Sequence, residues 1–171
     1  YLKKLLEDVG MISTRNLFFP APITSPDVYV THDQSYVDRV KTLSLLKLEK
    51  RRIGLPSIEK FCERAFFSAG GTLLAAKLAL KFGFAANLAG GSHHASRFGG
   101  SGFCIFNDVG IAVNCLLRDD ILRDVIILDL DVHQGDGTAQ IFNFEERVFT
   151  VSIHCQKNFP IKKVSSNLDI G

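Results

Sequence analysis

The sequence predicts an α/β fold in which a parallel sheet is flanked by helices. Three observations lead there. Short aliphatic runs alternate with longer amphipathic stretches, as crossover connections between parallel strands require. Val125 to Leu128 is a continuous aliphatic run, the mark of a strand buried on both faces. The acidic, imidazole and glycine residues gather just past such runs, where open α/β sheets bind their ligands.

The elements follow in order. The chain opens on Tyr1 inside a helical pattern. Asp33 to about Leu48 reads as a helix, and the loop RRIGLP (51–56) puts Pro56 near a helix start. Ala65 to Gly91 is the longest apolar region. Lys77 and Lys81 share one helix face there, and Gly70-Gly71 and Gly83 divide it. A buried core helix followed by a strand at about 85–90 fits this better than a membrane span. A helix from Asp108 carries Val109, Ile111, Ala112, Val113, Leu116 and Leu117 toward the sheet. A strand over 125–131, a short helix from Asp136 to about Asn143 and a strand over 148–153 complete the pattern. Residues 1–171 have the length of one domain, with no internal repeat or linker.

Composition is that of a globular chain, 46% hydrophobic and 22% charged. Lys+Arg 20 against Asp+Glu 18 gives a net charge of +2, too balanced to indicate nucleic-acid binding. The basic group Lys47, Lys50, Arg51 and Arg52 reads as a solvated helix end. Cys62, Cys104, Cys115 and Cys155 have no Cys-x-x-Cys spacing and suggest reduced thiols in a cytoplasmic setting.

Chemistry is concentrated in Leu128-Asp129-Leu130-Asp131-Val132-His133-Gln134-Gly135-Asp136-Gly137. Strand alternation would send Asp129, Asp131 and His133 to one side. A carboxylate and an imidazole two residues apart suit zinc; by themselves they suit a capped strand end with solvated aspartates equally well. The tandem His93-His94, between Gly90-Gly91 and Gly99-Gly100, shifts that balance. An imidazole moves protons near neutral pH, and its second nitrogen needs an acceptor that Asp129 and Asp136 can provide. Together these make a zinc-hydrolase kit.

The segments GGSHHA (90–95), GGSGFCIFND (99–108), VIILDLDVHQGDGTAQIF (125–142), VFTVSIH (148–154) and NFP (158–160) resemble, in order, the histone deacetylase family within the arginase–deacetylase fold. HDQSYVDRV (32–40) and RRIGLP add to the likeness. Gln134 stands where many members have histidine, which resembles the bacterial and class IV branches. The resemblance implies a zinc-dependent deacetylase acting on acetyl-lysine or an acetylpolyamine through a metal-bound water. It makes Asp131 and His133 zinc ligands and His93 and His94 the proton-transfer pair, with Asp129 and Asp136 as their partners. It gives Gly102, Phe103 and Phe159 to the walls of an acyl-lysine channel; Phe103 would serve equally well in ordinary core packing. Asp129, Ser152 and Ile153, with the carbonyls of Asp131 and His133, resemble a structural potassium site.

The family also uses a third zinc ligand, an aspartate, and an oxyanion-binding tyrosine from further downstream. Asp136 and Asp169 are the only aspartates after His133, and Tyr1, Tyr29 and Tyr36 all lie upstream. The chain therefore reads as a partial catalytic domain, incomplete at both ends, with an exposed sheet edge and poor solubility in isolation. An arginase-like two-metal hydrolase, a non-catalytic acyl-lysine-binding scaffold and a gene remnant are the alternative readings. Two zinc donors and no oxyanion tyrosine predict a loss of at least roughly 10²-fold in turnover for residues 1–171 alone. An assay of this stretch on an acetyl-lysine peptide with added zinc checks that expectation.

Overall fold

The computed structural model describes residues 1–55 and 58–171, so the expected helix start at Pro56 lies outside the described residues. The sheet is formed by β1 (Val125–Asp129), β2 (Val148–Ile153) and β3 (Leu168–Ile170), in that order and parallel throughout. Helix α7 (Asp136–Phe142) makes the crossover from β1 to β2. Preceding the sheet are α1 (Leu2–Asp8), α2 (Ser25–Tyr29), α3 (Gln34–Lys41), α4 (Lys47–Ile53), α5 (Ile58–Phe82) and α6 (Asp108–Arg118). The expected α/β architecture is present.

Among the described residues two apolar clusters hold most of these elements, α1 and β3 excepted. Val113 and Leu117 of α6, Phe142 of α7 and Val148 of β2 pack together against Val125 and Ile127, covering one face of the sheet. Tyr36, Val37 and Val40 of α3 join Ile53, Cys62, Phe106 and Ile111 in the larger cluster. The opposite sheet face carries Ile126, Leu128, Phe149, Ile153, Leu168 and Ile170, all exposed. A parallel sheet ordinarily buries both faces.

Several sequence expectations need correction. The stretch 33–48 forms two helices. Leu43 adopts φ 58° and Ser44 N–H bonds back to Arg39, which stops α3 at Lys41. Arg39 then bridges to Glu49 of α4, donating to both of its carboxylate oxygens. The expected strand at 85–90 is an irregular segment and turn, because no strand among the described residues lies beside it to share hydrogen bonds. Side chains hold it instead. Asn87 Nδ2 donates to Ser68 O at 3.0 Å and to Thr72 Oγ1 at 2.8 Å. Helix α5 buries Ile58, Cys62 and Ala69 on one side in the larger cluster and Gly71 on another, against Asn87. By length and apolar composition it could cross a membrane, and only 17% of its most apolar stretch is buried among the described residues, so it is not the buried core helix expected from sequence. β1 ends at Asp129, two residues early, for a reason that belongs to the site. β3 was not expected, since three residues carry too short a pattern.

His32 ties α3 to the loops that carry the chemistry. It is 1% exposed. Its Nε2 accepts from the Asn107 backbone N–H at 2.9 Å, so Nδ1 carries the proton and donates to Ser96 O at 2.8 Å. Burial pushes its pKa down to about 4. The unfolded chain, with an imidazole near 6.5, binds a proton that the folded one refuses. This contribution is complete above pH about 6.5 and is lost as pH falls toward 4, a swing of about 3 kcal/mol. Urea-unfolding midpoints across pH 4–7 should fall on acidification, and His32→Asn should flatten that slope while lowering stability at pH 7.

Candidate active site

The backbone itself shapes the loop after β1. Asp129 Oδ1 accepts from Asp131 N–H at 3.0 Å, and Asp131 Oδ1 accepts from His133 N–H at 2.8 Å. These successive aspartate turns pull the chain out of the ladder. Asp131 and His133 therefore come together through turns and not through the strand alternation expected from sequence. The Asp131 carboxylate lies 3.0 Å from His133 Nδ1 and 3.7 Å from His93 Nε2.

The histidine loop lies opposite. His93 Nδ1 meets Asp129 Oδ2 at 2.6 Å, and His94 Nδ1 meets Asp136 Oδ1 at 2.6 Å. The two rings are tilted, with centroids 4.1 Å apart. A carboxylate on Nδ1 fixes the tautomer and aims Nε2 away from it. Burial works against a charged His93, but the bond and charge of Asp129, with Asp131 and Asp136 behind it, outweigh burial and raise its pKa. Asp131 is held below the ordinary carboxylate range. Its partial burial opposes this, while the His133 N–H and the charge of His93 prevail.

Polar groups that sequence reasoning passed over fix this loop. Asp108, at the start of α6, accepts from Ser92 N–H at 2.7 Å and from Gly91 N–H at 3.1 Å. Buried Asn107 caps α6 through Gly110 N–H and donates to Ala95 O at 3.1 Å and Thr138 Oγ1 at 2.9 Å. Thr138 N–H donates to His93 O at 3.1 Å. The helix-cap position of Asn107 was readable; its reach to the histidine loop was not.

Two glycines permit the close approach. At Gly135 a Cβ would collide with the Asp129 carboxylate. At Gly102, with φ 51°, a Cβ would lie 2.6 Å from His94 Cδ2 and 3.1 Å from Phe159 Cε1. Phe159 stands edge-on to His94, with centroids 4.9 Å apart, and 6.2 Å from His133. Phe103 has φ 66° and is 70% exposed, packing toward Gly54. It is therefore not a core residue here. Beside His94 and Asp136 lies a cavity of about 190 Å³ that also touches Arg52, Ser96 and Gln140.

Asp131 and His133 offer the oxygen and nitrogen donors that zinc takes, and both are partly exposed. Among the described residues, no group of three or more His, Cys, Asp or Glu side chains is placed to hold a metal. The donor chemistry fits, with two ligands of the three that a catalytic zinc normally uses. Asp129 and Ser152 are register partners across β1 and β2, with Ser152 Oγ 3.0 Å from His154 Nδ1. The Ile153 side chain points to the exposed sheet face, so only its backbone could serve a cation.

The chain is 44% identical over 167 residues to an uncharacterised protein of Picosynechococcus sp., covering 98% of this chain and 55% of that protein. It is 29% identical to histone deacetylase 2 of Arabidopsis thaliana, over 92% of this chain and 42% of that one. The chain thus spans about half the length of the curated relatives it matches. The crystal structure of an HDAC homolog complexed with SAHA superposes with a TM-score of 0.80 at 22% identity, covering 99% of this chain and 50% of that one, a likeness of fold. The family model described as histone deacetylase domain matches residues 1–170, which takes in both histidine–aspartate pairs and the loop after β1; the chain belongs to the histone deacetylase family.

Proposed function

We propose that the full-length protein is a zinc-dependent deacetylase that hydrolyses the amide of an acylated lysine or an acetylated polyamine. Family membership supports a deacetylase-type hydrolase at the family level. The observation that carries the finer reading is the pair of histidine–carboxylate bonds, each 2.6 Å, on adjacent rings that face Asp131 and His133. The homolog complexed with SAHA supports a ligand site on this fold.

Asp131 and His133 would hold zinc together with a third ligand from outside this chain. When bound, the ion would polarise the amide carbonyl and lower the pKa of water. His93, backed by Asp129 and with a raised pKa, receives a proton at Nε2. His94, backed by Asp136, delivers one to the leaving amine. Both carboxylates hold the rings so that these nitrogens face the reacting bond, which saves reorientation during turnover. Gly102, Phe103 and Phe159 would flank the methylene stem of the substrate, an apolar body with a polar end. A potassium ion, held by Asp129, Ser152 and the carbonyls of Asp131, His133 and Ile153, would brace the loop.

Zinc content by elemental analysis of the full-length protein tests the ligand assignment. Asp131→Ala and His133→Ala should each lose most bound zinc, and unchanged content in both would overturn it. On an acetyl-lysine peptide and an acetylpolyamine, His93→Ala and His94→Ala should each lower kcat by roughly 10²–10⁴-fold with zinc retained. Gly135→Ala should displace Asp129 from His93 and lower kcat by roughly 10-fold or more.

A further inference from the structure

The segment between β2 and β3 carries Phe159 yet has little regular structure of its own. Its ends are tied by backbone bonds, His154 N–H to Ile170 O and Cys155 N–H to Val132 O, both 2.9 Å. Its middle is held by Gln134, which is 1% exposed. Gln134 Oε1 accepts from Val164 N–H at 3.0 Å, and Nε2 donates to Val164 O at 2.9 Å. The second Nε2 hydrogen goes to Asp169 Oδ1 of β3 at 2.8 Å. The primary amide thus pairs with a backbone residue as a neighbouring strand would. A primary amide presents its N–H and C=O side by side and so meets the C=O and N–H of one residue, whereas the donor and acceptor nitrogens of an imidazole point apart. Lys163, next to Val164, donates from Nζ to Asn158 O at 2.6 Å and Pro160 O at 2.7 Å, on either side of Phe159.

We propose that Gln134 is a positioning residue that sets the place of Phe159 beside His94 and thereby the width of the channel around the substrate's methylene stem. This rests on the deacetylase reading for its consequence, but not for its geometry. Gln134 follows the ligand His133 directly, so a single loop fixes both the proposed metal donor and the aromatic wall. Losing the clamp should loosen the wall around the methylene stem of the lysine and leave the histidine pairs in place.

The test uses the full-length, zinc-loaded protein with Gln134→Met, which keeps the side chain's size but none of its bonds. Gln134→Glu, which keeps only the acceptor, is the second variant should the first not fold. Hydrogen exchange of a peptide covering 158–166 should quicken by about tenfold in either variant, while that of 105–118 stays unchanged. KM for an acetyl-lysine peptide should rise by about tenfold with kcat little changed. Unchanged exchange at 158–166 overturns the clamp. Faster exchange with an unchanged KM overturns the role in holding the substrate's stem. A wild-type protein that does not turn over the acetyl-lysine peptide defeats the deacetylase reading, and exchange alone then decides the clamp.

Discussion

Everything at the site depends on two carboxylates reaching across to two imidazoles from a different part of the chain. His93 and His94 sit on a loop that shares no sheet ladder with β1, while Asp129 and Asp136 belong to the end of β1 and the start of α7. The charged hydrogen bonds between them are therefore structural joints as well as chemical ones. Their enclosure strengthens them, since a polar bond is worth more away from water. The same enclosure makes a half-removed pair costly, because the remaining partner stays buried without its counterpart. Asp108, Asn107 and Thr138 hold the histidine loop from behind, which leaves the two rings little freedom to turn.

The two dyads are alike in length but not in surroundings. His93 faces Asp129, with Asp131 and Asp136 adding their charge, so its pKa is raised despite its burial. His94 instead packs edge-on against Phe159 and lies under Gly102. Two adjacent residues of one type are thus given different settings by their neighbours, the condition under which like groups take unlike parts in acid–base chemistry.

Much of this was legible in the sequence and the rest was lost for identifiable reasons. β2, α6 and α7 lay close to their expected ranges because aliphatic runs and a capped amphipathic stretch are local signals. The strand expected at 85–90 failed because an apolar run becomes a strand only beside a partner, which no local pattern reveals. The division of 33–48 turned on Leu43 at φ 58°, a conformation that nothing about leucine announces. At the site, the motif spacing picked out His93, His94, Asp129, Asp131, His133 and Asp136, and these side chains lie together. His32, Asp108 and Gln134 escaped notice as working parts because each acts on backbone groups far away in the chain. Such bonds leave no periodicity behind.

Gly102 shows how tightly one of these positions is bound to its codon. A β-carbon there would press on the His94 ring, in a backbone conformation that side chains already disfavour. Any first- or second-base change in a glycine triplet brings in a residue with a β-carbon or a stop, and only third-base changes are silent. The position can drift in nucleotide sequence without limit at one base and hardly at all at the other two.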